Sequence, residues 1–219
     1  MSSLDKVLAS IPDADEIDIS DKKFGDDGIK KIAAAIENGT AASEIYFDGN
    51  ELTDACAADI ARMLEKSETI KQISLMQNKI SDAGAVKLAK VIAKNAFLLE
   101  VDMRDNNIGD EGASAFAAAL RVNGTLKKLY LKDNNIGDPG AKALAAAIKA
   151  NTELRQLDVE VNEIEQSGVT ALLDAAEATK KEVTCGYQKS GFRATGYRKE
   201  GTTTEVIDSA SSGTVFASR

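Results

Sequence analysis

The chain has 219 residues, of which 43% are hydrophobic and 28% charged, and carries a net charge of −8 with two cysteines and no histidine. No run approaches the ~18 consecutive apolar residues of a membrane span, and MSSLDKVLASIPDADE lacks a basic stretch leading into an apolar one, so neither a transmembrane helix nor a secretory leader is expected. The acidic sum disfavours nucleic acid as a partner, and the missing histidine removes the commonest general base and metal ligand.

Charge is uneven. Residues 1–60 hold 14 acidic and 5 basic side chains, whereas residues 179–219 hold 4 and 7. Cys56 and Cys185 are far apart and outside any metal-ligand spacing, which fits reduced thiols of a cytoplasmic protein.

In chain order, residues 1–13 are expected to form an N-terminal cap. Residues 14–188 form a repeat array. Asn50, Asn78, Asn106, Asn134 and Asn162 recur every 28 residues. Each follows one apolar frame, as in Leu126, Leu129, Leu131, Asn134 and Ile136. Two apolar residues separated by one polar residue point to the same side of a short strand. An asparagine buried at the strand's end must satisfy its amide, and a backbone ladder along a stack would do so. One unit back stands Lys22, which cannot join such a ladder and suits an end.

A turn and a helix follow each asparagine. Asp26, Asp54, Asp82, Asp110 and Asp138 recur at the helix start, where a carboxylate favours the positive end of the helix dipole and Thr53 or Ser81 can cap. Two positions later stand Gly28, Cys56, Gly84, Gly112, Gly140 and Gly168, so Cys56 reads as a buried stand-in for glycine. Ala141, Leu144, Ala145 and Ile148 trace the buried helix face. Asn95, Asn123 and Asn151 fall where a left-handed helix-terminating residue belongs. Continuing the count puts a seventh strand at 183–187, with Cys185 and Tyr187 pointing inward.

A unit of this size cannot bury its apolar stripe alone, so the units must stack. The pattern is identified as the leucine-rich repeat, and its 28-residue helical form resembles ribonuclease-inhibitor-like proteins over residues 14–188. That resemblance implies an α/β solenoid, a right-handed horseshoe arc of about six repeats plus a terminal strand, with parallel strands on the concave face and helices on the convex face.

Outward strand positions make the concave face. Tyr46, Met76 and Tyr130 are its apolar or aromatic residues, and Arg104, Lys128 and Lys132 form a basic spot between acidic ends. Aromatics beside arginine have the composition of interface hot spots. The alternative is a set of ordinary solvated strand residues.

Residues 189–219 are expected to be a C-terminal cap and flexible tail. Around its start, Gly186-Tyr187, Gly191-Phe192 and Gly196-Tyr197 recur every five residues, with Arg193 and Arg198 between and after them. Tyr187, Phe192, Arg193, Tyr197 and Arg198 are therefore a second candidate contact set, and the competing reading is a wrap over the exposed sheet end. The segment VTCGYQKSGFR at 183–193 resembles the end of the tropomodulin repeat domain, with its Gly-Tyr pair and Gly-x-Arg, as does the stretch from Ile60 to Leu75. That resemblance implies actin or a larger cytoskeletal or ciliary assembly as partner, and a cytoskeleton- or cilium-associated location.

The expected function is thus a non-catalytic scaffold for another protein, with no cofactor, no metal, no nucleic acid and no membrane. Two other classes stay open: a small-GTPase regulator, since Ran GTPase-activating proteins use similar repeats, and an acidic inhibitor of a basic enzyme.

Overall fold

The computed structural model describes residues 2–189 and 191, together with the backbone of Arg193–Ala194 and Val206–Ile207. Helix α1 (Ser3–Ser10) opens on a capping box in which Ser2 and Asp5 bond each other's backbone. A 3-10 turn (Ile11–Asp13) leads into six strand–helix units and a seventh strand. The strands are β1 (Glu16–Asp18), β2 (Glu44–Tyr46), β3 (Gln72–Ser74), β4 (Glu100–Asp102), β5 (Lys128–Tyr130), β6 (Gln156–Asp158) and β7 (Glu182–Thr184). Between them run α2 (Gly25–Glu37), α3 (Ala57–Lys66), α4 (Asp82–Ile92), α5 (Asp110–Leu120), α6 (Asp138–Ala150) and α7 (Gln166–Thr179). A short antiparallel pair, β8 (Arg193–Ala194) and β9 (Val206–Ile207), follows.

The sheet order is β1 through β7 without crossing, all parallel. Register advances by 28 residues per strand from β1 to β6, as in Ile45 to Ile73 and Val101 to Leu129. The fold is an open leucine-rich-repeat solenoid with strands on the concave side and helices on the convex side. Its core is continuous, because Leu129, Leu131, Leu144 and Ile148 of one unit pack on their equivalents above and below.

Three polar ladders hold the units in register. In the first, Asn106 Nδ2 donates to Leu75 O of the preceding unit at 2.9 Å, and its Oδ1 accepts from Ile80 N at 3.0 Å. Asn134 and Asn162 do the same one and two units on. At the front end Asn50 bonds Ile19 O, and Phe24 N takes its Oδ1, so the unit bearing Lys22 receives the ladder without extending it.

The second ladder corrects an expectation. Asn95, Asn123 and Asn151 are not left-handed; the positive-φ residues lie elsewhere, among them Gln77, Asp105, Asp133 and Val161 just before each ladder asparagine. Asn123 Nδ2 instead donates to Ile92 O and Asn95 O, while its Oδ1 accepts from Thr125 N and Leu126 N. It closes its own turn and ties it to the previous one.

The third ladder is carboxylate. Asp82 Oδ1 accepts from Gly109 N at 2.7 Å and Gly112 N at 2.8 Å, so each aspartate caps the next unit's helix. This explains the glycines: a Cβ on Gly84 would lie 2.4 Å from Asp54 Oδ1 and 2.7 Å from Ile80 Cγ2. Cys56 is the buried exception, and there α3 starts late, at Ala57, with Thr53 outside it. Ser81 does cap α4, accepting from Ala83 N.

The last unit also differs from expectation. Gln156 pairs with Glu182, only 26 residues on. Val183 and Cys185 therefore point inward, whereas Tyr187 is 50% exposed. Gln188, fully buried, takes the asparagine's place in the first ladder.

Candidate functional site on the concave face

Strand alternation places three columns of outward side chains on the concave face. One runs Glu16, Glu44, Gln72, Glu100, Lys128, Gln156; the next Asp18, Tyr46, Ser74, Asp102, Tyr130, Asp158. The third continues just past the strands through Ser20, Asp48, Met76, Arg104, Lys132 and Glu160. These eighteen positions hold eight carboxylates and three cations.

The cations do not form a free basic spot. Arg104 grips Asp102 by two guanidinium nitrogens, with Nη2 2.5 Å from Oδ2. Lys128 Nζ lies 2.9 Å from Glu100 Oε2, and Lys132 Nζ lies 3.0 Å from Glu160 Oε2. Each pair links neighbouring columns or strands, so the centre of the face is charge-balanced and its ends are acidic. Hydrogen bonding to Asp102 raises the Arg104 pKa further, against the opposing effect of burial.

Tyr130 is the centre of this arrangement. The Arg104 guanidinium carbon sits 5.4 Å from its ring centroid, a cation–π distance. Its hydroxyl reaches Gln156 Oε1 at 3.2 Å. Burial, then Glu100, raise its pKa. Arg104, Lys128, Tyr130 and their acidic partners thus make one connected amphipathic cluster across β4 and β5.

The other expected residues lie apart from it. Tyr46 occupies the same column as Tyr130 but three strands away, roughly 14 Å at the spacing of adjacent strands. Its hydroxyl donates to Glu44 Oε2 at 2.6 Å, and that bond drives its pKa well up. Met76 stands half-buried between the two tyrosines' strands, and its backbone N–H donates to Asp48 Oδ1 at 2.9 Å. Burial raises the Asp48 pKa although Ser74 and Met76 donate to it, and burial likewise raises that of Asp158.

Of the second candidate set, Tyr187 is exposed at the end of the sheet. Phe192, Tyr197 and Arg198, and the side chain of Arg193, lie outside the described residues. Lys189 is described: its Nζ crosses to Asn134 O at 2.8 Å and to Asp133 at 3.2 Å, strapping the last turn over the preceding units.

The face offers no metal cluster: no group of three His, Cys, Asp or Glu residues that could hold a metal ion occurs among the described residues. Both thiols are buried and free, with Cys185 pushed up to about 12 by burial. No helix among the described residues is long and apolar enough to cross a membrane.

Residues 66–89, 94–117 and 122–145 each match the Leucine Rich repeat family model. No curated protein matches the chain by sequence. Among solved structures, the one titled leiomodin-1 Actin-Binding Site 2 is 17% identical with a TM-score of 0.55, over 81% of this chain and 87% of that one. The tropomodulin C-terminal domain of Caenorhabditis elegans is 12% identical with a TM-score of 0.50, over 82% and 94%. At these identities the likeness is one of fold, a leucine-rich-repeat solenoid.

Proposed function

We propose that this leucine-rich-repeat solenoid is a non-catalytic scaffold that binds another protein through the β4–β5 cluster of its concave face, and that the partner is actin. The observation that carries the reading is Arg104 stacked over Tyr130 while held by Asp102. Such a cluster is ordered before binding, so little side-chain entropy is lost when a partner covers it. Its aromatic ring and guanidinium are the residue types that dominate interface energetics. Actin is favoured by the likeness to a structure titled for an actin-binding site, and by the Gly-Tyr and Gly-x-Arg segment at 186–193. A cytoskeletal location accords with that partner.

Co-sedimentation with actin filaments tests it. Asp102 is buried, so Arg104→Lys keeps its charge neutralised while losing the planar stack. The native chain is expected in the pellet, and Tyr130→Ala with Arg104→Lys in the supernatant. A native chain left in the supernatant overturns actin; a double variant that pellets equally overturns the cluster.

The eight carboxylates against three cations favour a second reading, an inhibitor of a basic enzyme. Binding of that kind falls steeply with salt, whereas binding through the stacked cluster is expected to change little.

A further inference from the structure

The edge of the solenoid where helices turn back into strands breaks the repeat's own pattern at one place. Residues just before each strand stack by backbone bonds: Leu99 N donates to Lys71 O, Lys127 N to Leu99 O, and Arg155 N to Lys127 O. The row begins with Asp15 and Ser43, and from Lys71 onward every member is basic except Leu99, which is 40% exposed. Two positions earlier, where neighbouring units carry Thr69, Thr125 and Glu153, stands Phe97. At the helix ends, Val122 is 71% exposed one unit after Lys94. An apolar patch has replaced polar residues in the middle of the stack, at positions that the fold does not require to be apolar.

The patch borders a groove of about 290 Å³ between the ends of α3 and α4, whose walls include Val91, Ala96 and Phe97. Lys90 and Lys94 line it, and the Lys71 ammonium sits 5.0 Å from the Phe97 ring centroid. Lys71, Lys90, Lys94 and Arg121 form no ion pair with any described residue. Glu65 is the groove's one carboxylate. Cations at helix ends answer the helix dipole, but that does not account for Phe97 or Leu99.

We propose that this edge is a second docking surface, separate from the concave face, and that it takes an acidic segment of a partner protein bearing one bulky apolar side chain. The apolar side chain enters the groove beside Phe97, and flanking carboxylates meet Lys71, Lys90 and Lys94. The sign of the edge is opposite to that of the concave face, so the two surfaces select different partner segments. The groove is recessed, which suits an inserted side chain better than a flat lipid surface.

The test uses the full chain, isotopically labelled, with a short synthetic peptide rich in Asp and Glu around a central Phe. Amide shifts are expected at residues 90–99 and 121–122, with affinity reduced about tenfold or more by Phe97→Thr with Leu99→Lys. Those substitutions restore the repeat's own residue types, so the fold is retained, and unchanged shifts elsewhere in the spectrum check it. Lys90→Glu with Lys94→Glu is expected to do the same. No binding, shifts on the concave face, unchanged affinity in both variants, or binding to phosphatidylserine vesicles in place of the peptide would each overturn the proposal.

Discussion

Gln188 Oε1 accepts the N–H of Asn162 at 2.8 Å, the bond that Asn78 Oδ1 makes with the N–H of Asn50 at 3.1 Å. The glutamine also donates to Val159 O and Cys185 O. Its extra methylene compensates for a unit two residues shorter than the others, and so closes the ladder at the end of the sheet. Gln188→Ala leaves the Asn162 N–H and the Cys185 carbonyl short of a partner, while Val159 O keeps Asn162 Nδ2, a cost of about 2–3 kcal/mol in urea unfolding. Gln188→Asn is expected to recover little of it, because the shorter side chain cannot span the gap.

Gly84 and Gly124 respond to alanine in opposite directions. At Gly84 the methyl meets Asp54 Oδ1 and Ile80 Cγ2, both too close to accept it, whereas at Gly124 nothing lies within 4 Å. Gly84→Ala should lower stability by about 1–3 kcal/mol. Gly124→Ala should raise it by about 0.5 kcal/mol through the unfolded chain. Equal effects in thermal unfolding would contradict the carboxylate ladder.

Val161 is a β-branched residue at φ 53°, where other units carry Gly49, Gln77, Asp105 or Asp133. Left-handed backbone costs such a side chain about 1–2 kcal/mol. Val161→Asn should therefore stabilise the chain by up to about 1 kcal/mol, measured by the urea midpoint. A loss of stability would show that its packing outweighs the strain.

Two aspartates give opposite pH dependences. Burial works to raise the Asp138 pKa, but the Ser167 hydroxyl and the Glu165 and Gly168 amides outweigh it, and the folded value lies below the ordinary one. Its stabilisation is present above about pH 4 and is lost as pH falls through the folded value. Asp158 is raised, by burial first, so its ionisation opposes folding once pH exceeds the folded value. Asp158→Asn should raise the melting temperature at neutral pH and leave it unchanged below the ordinary carboxylate range, while Asp138→Asn should lower it at neutral pH only.

The architecture was legible because Asn50 to Asn162 and their apolar frame repeat at a fixed interval, and a stack is the one arrangement that buries them. Spacing carries no information about which unit a side chain bonds, so the aspartates' reach to the next helix and the second asparagine ladder were not. A count of 28 does not place Tyr187, because the last unit is 26 residues long. On the concave face, types and column positions were readable from strand alternation. The pairing of Lys128 with Glu100 and of Lys132 with Glu160 was not, since it depends on which side chains meet across strands, nor was the turn of Arg104 back onto Asp102 two residues before it, which is a choice of rotamer. The Phe97–Leu99 edge had a sequence signal, a departure from the repeat's own residues, which alignment on apolar positions alone passes over.

The concave-face reading is tested most directly by placing a photo-cross-linking amino acid at position 130 and, as a control, at Lys142 on the convex side, and irradiating each with actin filaments. Cross-links to actin from position 130 and none from position 142 are the predicted result. Cross-links from position 142, with none from 130, would contradict it.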